Sequence, residues 1–150
     1  MKLSELVDPR LINLSLESTT KDAVLEELVK LLRLSAPAGN ALIQTLRARE
    51  DLGSTGVGHG IAIPHCRSLV VSKLHVLVGR SKRGIPFKSM DRKRAFLFFL
   101  IVAPPVGDPG EYLIALGAVA QAAKSLARDR RVKKVKDAME FIELIEEIEE

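Results

Sequence analysis

The sequence predicts one α/β domain over residues 1–150, a mixed central sheet flanked by helices. Three observations carry this expectation. Ile12-Asn13-Leu14-Ser15-Leu16 and Leu74, Val76 and Val78 alternate apolar and polar positions, the period of a half-buried strand. Ala95 to Val102 is almost wholly apolar, the pattern of a central strand covered on both faces. Between the strands, apolar residues recur at helical spacing behind capping residues. A chain of 150 residues has the size of one ordinary domain.

The elements follow in order. Thr19-Thr20-Lys21-Asp22 reads as a helix start with a capping-box pattern, ahead of a stripe of Val24, Leu25, Leu28, Val29, Leu31 and Leu32. A second helix is expected from about Asn40 to Glu50, with Leu42, Ile43 and Leu46 facing the core. A glycine-rich turn region, Gly53 to Gly60, leads into the short apolar run Ile61-Ala62-Ile63. Pro104-Pro105 ends the central strand, and Asp108-Pro109-Gly110-Glu111 starts a helix. Asp108 can cap, Pro109 suits the first helical position and Glu111 can reach back. That helix is expected to run to about Ala127 and to bury Leu113, Leu116, Ala120 and Ala123. Asp137-Ala138-Met139-Glu140 repeats the capping logic for a last helix carrying Ile142, Ile145 and Ile148.

Composition excludes several classes. Hydrophobic residues make up 47% and charged residues 28%, a balance that fits a globular rather than a disordered chain. Trp is absent and aromatics are few, so the core rests on Leu, Ile, Val and Ala. No apolar run approaches the roughly 20 residues of a membrane span. Met1-Lys2-Leu3-Ser4-Glu5 lacks the apolar stretch of a signal peptide. One cysteine cannot form an internal disulfide. The expected compartment is the cytoplasm, without membrane insertion. The net charge is +4 and reads as dispersed; its densest run, Arg128 to Lys136, is taken as a solvated face. Basic residues do not interleave with aromatics, so no nucleic-acid partner is expected.

The segment from Arg49 to Arg67 stands apart, with four glycines between Gly53 and Gly60. Such loops can turn several N–H groups toward an anion. The P-loop reading fails, because His59 and Gly60 follow Gly58 where Lys and then Ser or Thr are required. The dinucleotide fingerprint fails as well, because Ile61 stands where the third glycine belongs. From periodicity alone, His65 is an ordinary strand-end histidine. Cys66 points to the opposite face of an extended chain and reads as a packing residue. His59 reads as a solvated loop residue and His75 as a surface position. No His, Cys and carboxylate cluster has metal-ligand spacing, and no metal or cofactor is expected.

Glu50 to Cys66, with Gly53-Ser54-Thr55-Gly56-Val57-Gly58 and Ile61-Ala62-Ile63-Pro64-His65, resembles the phosphorylation-site signature of certain bacterial phosphotransferase-system IIA domains. These are the fructose, mannitol and nitrogen-regulatory type 2 IIA domains, and the nitrogen type is the nearest in pattern. Ser81 to Phe87, Met90-Asp91 and the apolar strand ending at Ala103-Pro104 follow in family order. The resemblance implies the IIA fold and a histidine, His65, that accepts a phosphoryl group from the small carrier HPr. It implies a IIB protein or a regulatory target as a further partner. The lack of a fused IIB, IIC or DNA-binding segment favours a nitrogen-type regulator over sugar transport. The alternative is a protein-binding module of the same fold that works without phosphorylation, regulating a transporter or kinase.

The chemistry agrees with the implied role. Neutral imidazole is nucleophilic at physiological pH and needs no separate base to attack phosphorus. Phosphoryl transfer mainly requires positioning and charge stabilisation. Ser54, Thr55, Gly56 and Gly58 are candidate phosphate contacts through hydroxyls and loop amides, and Arg49 and Arg67 through their guanidinium groups. One departure is visible. Many relatives carry a second histidine in the first turn of the helix after the central strand; here that place holds Tyr112. Tyr112 can donate an O–H near a helix amino terminus, but cannot carry an imidazolium charge.

Overall fold

The computed structural model describes residues 1–150. Its elements are α1 (Leu3–Leu6), β1 (Val7–Asn13), α2 (Lys21–Val29), α3 (Ala36–Leu52), β2 (Gly56–Gly58), β3 (Ile61–Ala62), β4 (His65–Arg67), β5 (His75–Ile85), β6 (Ala95–Ala103), α4 (Pro109–Arg128) and α5 (Ala138–Ile148). Short 3-10 turns follow α2 at Lys30–Leu32 and α4 at Arg130–Lys133. The sheet runs β1-β5-β6-β3-β2, with β4 also on β6. β1 lies parallel to β5, and β3 and β4 lie parallel to β6. β5 runs antiparallel to β6, and β2 antiparallel to β3. The sheet is therefore mixed, and β6 is its hub.

The apolar run of β6 is explained by its two covered faces. Leu97, Phe99 and Ile101 join Val119, Leu126, Phe141 and Ile145 on the side of α1, α4 and α5. Phe98, Leu100 and Val102 join Leu25, Leu28, Leu42 and Leu46 on the side of α2 and α3. Alternation along one strand thus supplies both layers. The helix starts follow the sequence. Thr20 accepts a hydrogen bond from the Ala23 N–H, Asp108 from the Gly110 N–H and Asp137 from the Glu140 N–H.

Four expectations are corrected. The first strand is Val7–Asn13, not Ile12–Leu16. Asn13 Oδ1 accepts the Ser15 N–H at 2.9 Å and turns the chain there. Pro9 is tolerated because β1 is an edge strand. α3 begins at Ala36, four residues before the expected Asn40. Ser35 caps it and Pro37 sits in the first turn, where a missing N–H costs little. β5 continues through the polar Arg80 to Arg83 to Ile85, with a register irregularity before it. In α4 the buried stripe is Ala115, Val119, Ala122, Ala123 and Leu126. Leu113 is 65% exposed and Ile114 53% exposed, and Ala120 is also exposed. Nearly every position of this helix is apolar, so periodicity could not choose its face. Close packing on the large side chains of β6 selects the small residues instead.

Candidate functional site

β3 and β4 lie end to end along one edge of β6. Ile61 and Ala62 pair with Leu97 and Phe98, and His65, Cys66 and Arg67 pair with Ile101, Val102 and Ala103. Ile63-Pro64 breaks the edge between them, and the Ile101 N–H donates to the Pro64 carbonyl at 2.9 Å. The break turns the Ile63 carbonyl toward the His65 ring. Nδ1 lies 2.8 Å from that oxygen. A carbonyl only accepts, so Nδ1 carries the proton and Nε2 keeps its lone pair in the neutral ring. The half-buried imidazole makes no other hydrogen bond.

Alternation along β4 sets the neighbours. Cys66 points into the core beneath α2 and α3. Burial pushes its thiol up to about 12, so it is an inert packing group. His65 and Arg67 share the other face, toward α4. There the His65 and Tyr112 ring centroids are 6.2 Å apart, with planes tilted by 55°. The Arg67 guanidinium carbon lies 4.9 Å from the Tyr112 ring centroid, a cation–π arrangement. Burial, reinforced by Cys66, raises the Tyr112 hydroxyl above its ordinary range, against the opposing charges of Arg67 and Arg49. Tyr112 therefore stays a neutral O–H donor at neutral pH. Arg49 comes from the last turn of α3 and donates from Nη1 to the Gly53 carbonyl at 2.8 Å. His65, Tyr112 and Arg67 thus meet at one end of the sheet, with the charge of Arg49 felt at Tyr112.

The glycine loop does something different from what its composition suggested. The Thr55 N–H donates to Glu50 Oε2 at 3.1 Å, and the Thr55 hydroxyl donates to Glu50 Oε1. The Ser54 hydroxyl donates to the Phe87 carbonyl and accepts the Gly56 N–H at 3.0 Å. The Gly53 N–H goes to the Glu50 carbonyl, and the His59 N–H to Asp91 Oδ2 at 2.9 Å. Gly58 is buried in the β2–β3 hairpin, with φ +86°. The hydroxyls of Ser54 and Thr55 and the amide of Gly56 are committed to protein acceptors, so the expectation that they cradle a phosphate is revised. The amino end of α4 is similarly occupied: Asp108 takes the Gly110 N–H at 2.8 Å.

Glu50 is the residue that sequence reasoning missed. Only 7% exposed, it also pairs with Lys21 Nζ at 2.6 Å, and that ammonium lies 4.6 Å from the Phe87 ring centroid. The Thr55 carbonyl accepts the Ile63 N–H at 3.0 Å, and the Ile63 carbonyl holds His65. A buried carboxylate thus anchors the loop, and the loop sets the carbonyl that orients the imidazole. Its signal in the sequence was its place at the head of the signature, one residue after Arg49.

Comparisons with known proteins come to the same region. Residues 5–149 match the family model described as phosphoenolpyruvate-dependent sugar phosphotransferase system, EIIA 2. A nitrogen regulatory protein of Bradyrhizobium diazoefficiens is 36% identical over 133 residues, 88% of this chain and 84% of that protein. The fructose-specific EIIABC component of Bacillus subtilis is 37% identical over 105 residues, 69% of this chain; the match spans only 16% of that longer protein. The crystal structure of nitrogen regulatory protein IIA-Ntr from Neisseria meningitidis superposes with a TM-score of 0.83 at 29% identity, over 95% of this chain and 98% of that one. The α/β architecture with its mixed sheet and five helices matches that fold. No helix is long and apolar enough to cross a membrane. The chain belongs to the type 2 EIIA family of the phosphoenolpyruvate-dependent sugar phosphotransferase system, with nitrogen regulatory proteins among its relatives.

Proposed function

We propose that the chain accepts a phosphoryl group on Nε2 of His65 from an HPr-type phosphocarrier in the cytoplasm, and that phosphorylation regulates a partner in the nitrogen-type manner. The observation that carries this reading is the hydrogen bond from Nδ1 to the Ile63 carbonyl, which leaves Nε2 as the nucleophilic nitrogen. The lone pair of Nε2 attacks phosphorus, the donor's N–P bond breaks, and its electron pair returns to the donor ring. The His65 ring gains positive charge as the new bond forms. The Ile63 carbonyl, accepting from Nδ1, stabilises that charge. In this reading Arg67 and the Tyr112 hydroxyl, on the His65 side of β4, take phosphoryl oxygens as the negative charge arrives, and Arg49 adds positive charge nearby. The phosphoryl group adds about −1.5 to −2 charges, enough to make or break a protein interface.

A second reading, a binding module that works without phosphorylation, draws on the exposed Leu113 and Ile114 beside Tyr112 and on the tyrosine itself. One experiment separates the two. The protein is incubated with phosphoenolpyruvate, enzyme I and HPr, and its intact mass is measured. A single acid-labile phosphate adduct, absent in His65→Ala, is expected. An unmodified mass at high HPr concentration would sink the carrier reading and leave the binding module. Adding a IIB protein and following phosphate loss then separates relay from regulation.

A further inference from the structure

The two ends of β6 carry different chemistry. His65 pairs near its C-terminal end, and the β5–β6 connection lies at its other end. Phe96 and Ile101 are separated by roughly 17 Å of extended strand. At the distant pole a cavity of about 430 Å³ is lined by Lys82, Lys93, Arg94 and Lys133, with Phe96 among them. In the sequence these charges look dispersed. The fold gathers them, bringing the turn after α4 against the β5–β6 connection. Arg80 fastens that turn, donating to the Leu14 carbonyl from Nε at 3.2 Å and to the Val132 and Val135 carbonyls from Nη1 at 3.0 and 2.6 Å.

Its four cations are exposed, and three features distinguish the cavity within that basic face. First, its cations are unspent. The ion pairs of the chain use Arg10, Lys21, Arg47 and Arg131, and none uses the four cations named here. Second, the carboxylate at the rim makes no ion pair with them, although its charge offsets part of that of Lys93. Asp91 turns Oδ2 to the His59 N–H at 2.9 Å and Oδ1 to the Lys93 N–H at 3.0 Å, so it shapes the loop. Third, the cavity has an aromatic wall. A Cβ at Gly84 would lie 2.9 Å from the Phe96 ring, and one at Gly60 3.4 Å from it; both glycines have φ near +80°. The ring fits beside glycine at both contacts, and Lys133 Nζ stands 5.4 Å from its centroid.

The four cations share one lining, and an anion bound among them would offset their mutual repulsion. The volume falls within the roughly 300–1,000 Å³ of small-molecule sites. We propose that this cavity binds a small polyphosphate that carries a flat ring, a nucleoside di- or triphosphate. The phosphate oxygens lie on Lys82, Lys93, Arg94 and Lys133, and the base lies against Phe96. Because every base has a π-face, discrimination among bases is weak. The site uses no group of the His65 region, so it stands or falls independently of the carrier reading.

The test is calorimetric titration of the full chain with ATP, pyrophosphate and adenosine at about 0.15 M salt. Saturable ATP binding is expected, weakened about tenfold or more in the Lys82→Ala/Lys133→Ala double variant. Pyrophosphate should bind several-fold more weakly than ATP, and adenosine weakest of all. Amide NMR of the unaltered chain provides a reading independent of variant folding: ATP should shift Gly60, Gly84 and Lys133. No ATP binding at about 1 mM would overturn the proposal, as would unchanged affinity in the double variant or shifts confined to other surfaces. Pyrophosphate binding as tightly as ATP would overturn the nucleotide assignment and leave a plain anion site.

Discussion

Replacing Glu50 by alanine should both destabilise the fold and disorganise the His65 site. The substitution removes the acceptor of the Thr55 N–H and hydroxyl and strands Lys21, whose side chain keeps only 18% of its exposure. Breaking a buried ion pair from one side costs about 3–5 kcal/mol. Lys21 retains some access to water, so the lower end, about 3 kcal/mol, is expected. For a chain of this size that corresponds to a melting temperature lowered by about 6–12 °C. Glu50→Gln keeps an oxygen for the Thr55 N–H and loses the charge, so about half that loss is expected. Urea titration measures both variants. Phosphorylation from HPr gives the second reading: the initial rate should fall in Glu50→Ala at a temperature where it is still folded, because Thr55 no longer holds the register of Ile63. A loss below about 1 kcal/mol with an unchanged phosphorylation rate would refute the anchoring argument.

Further outcomes can be stated from single positions. Gly79→Ala puts a Cβ 2.8 Å from methyl carbons of both Leu16 and Leu28; overpacking should cost about 1–3 kcal/mol in urea titration. Cys66, with its thiol pushed up to about 12, should react with iodoacetamide at pH 8 about a thousandfold more slowly in the native chain than in urea. Burial pushes Glu27 up, but hydrogen bonds from the Ser18 hydroxyl, the Glu17 and Ser18 N–H groups and Asn13 outweigh it, and its pKa is lowered. Its contribution is therefore present above the ordinary glutamate range, about 4.3, and lost as pH falls through the lower folded value. Glu27→Gln should flatten the acid limb of stability measured by urea titration between about pH 6 and pH 3. Tyr112→His should lengthen the lifetime of phosphorylated His65 or speed its transfer, followed by intact mass over time; an unchanged lifetime and rate would contradict a role for this position.

The legible parts of the fold were those fixed by local physics. Thr20, Asp108 and Asp137 cap helices because short polar side chains satisfy nearby N–H groups, and that pattern is visible in the chain. β6 announced itself because a strand buried on both faces has no polar positions to spare. The face of α4 was not legible, since Leu113, Ile114, Ala115 and Leu116 offer apolar residues in every direction and only the sheet decides between them. The site divides in the same way. The resemblance pointed to His65 and to Tyr112, and the fold brings both to one face with Arg67. The fate of the loop hydroxyls depended on Glu50 and on the Phe87 carbonyl, a partner far along the chain that spacing cannot reveal. The basic pole was hidden for the same reason, because Lys82 and Lys133 meet only after folding.

The division of labour at His65 follows from this arrangement. In the proposed reaction the nucleophilic nitrogen is chosen by a backbone carbonyl, and carbonyls do not titrate. A carboxylate partner would put negative charge beside the ring where the phosphoryl group arrives. The Ile63 carbonyl fixes the tautomer without adding that charge. The carboxylate that the site does use, Glu50, is spent on Lys21 and Thr55 and acts through two backbone hydrogen bonds. Placing Glu50 one layer back gives the loop the rigidity of a buried ion pair while leaving the imidazole face to cations and a neutral hydroxyl. In the proposed reaction the phosphoryl group would reach a ring flanked by Tyr112 and Arg67 without displacing a competing anion.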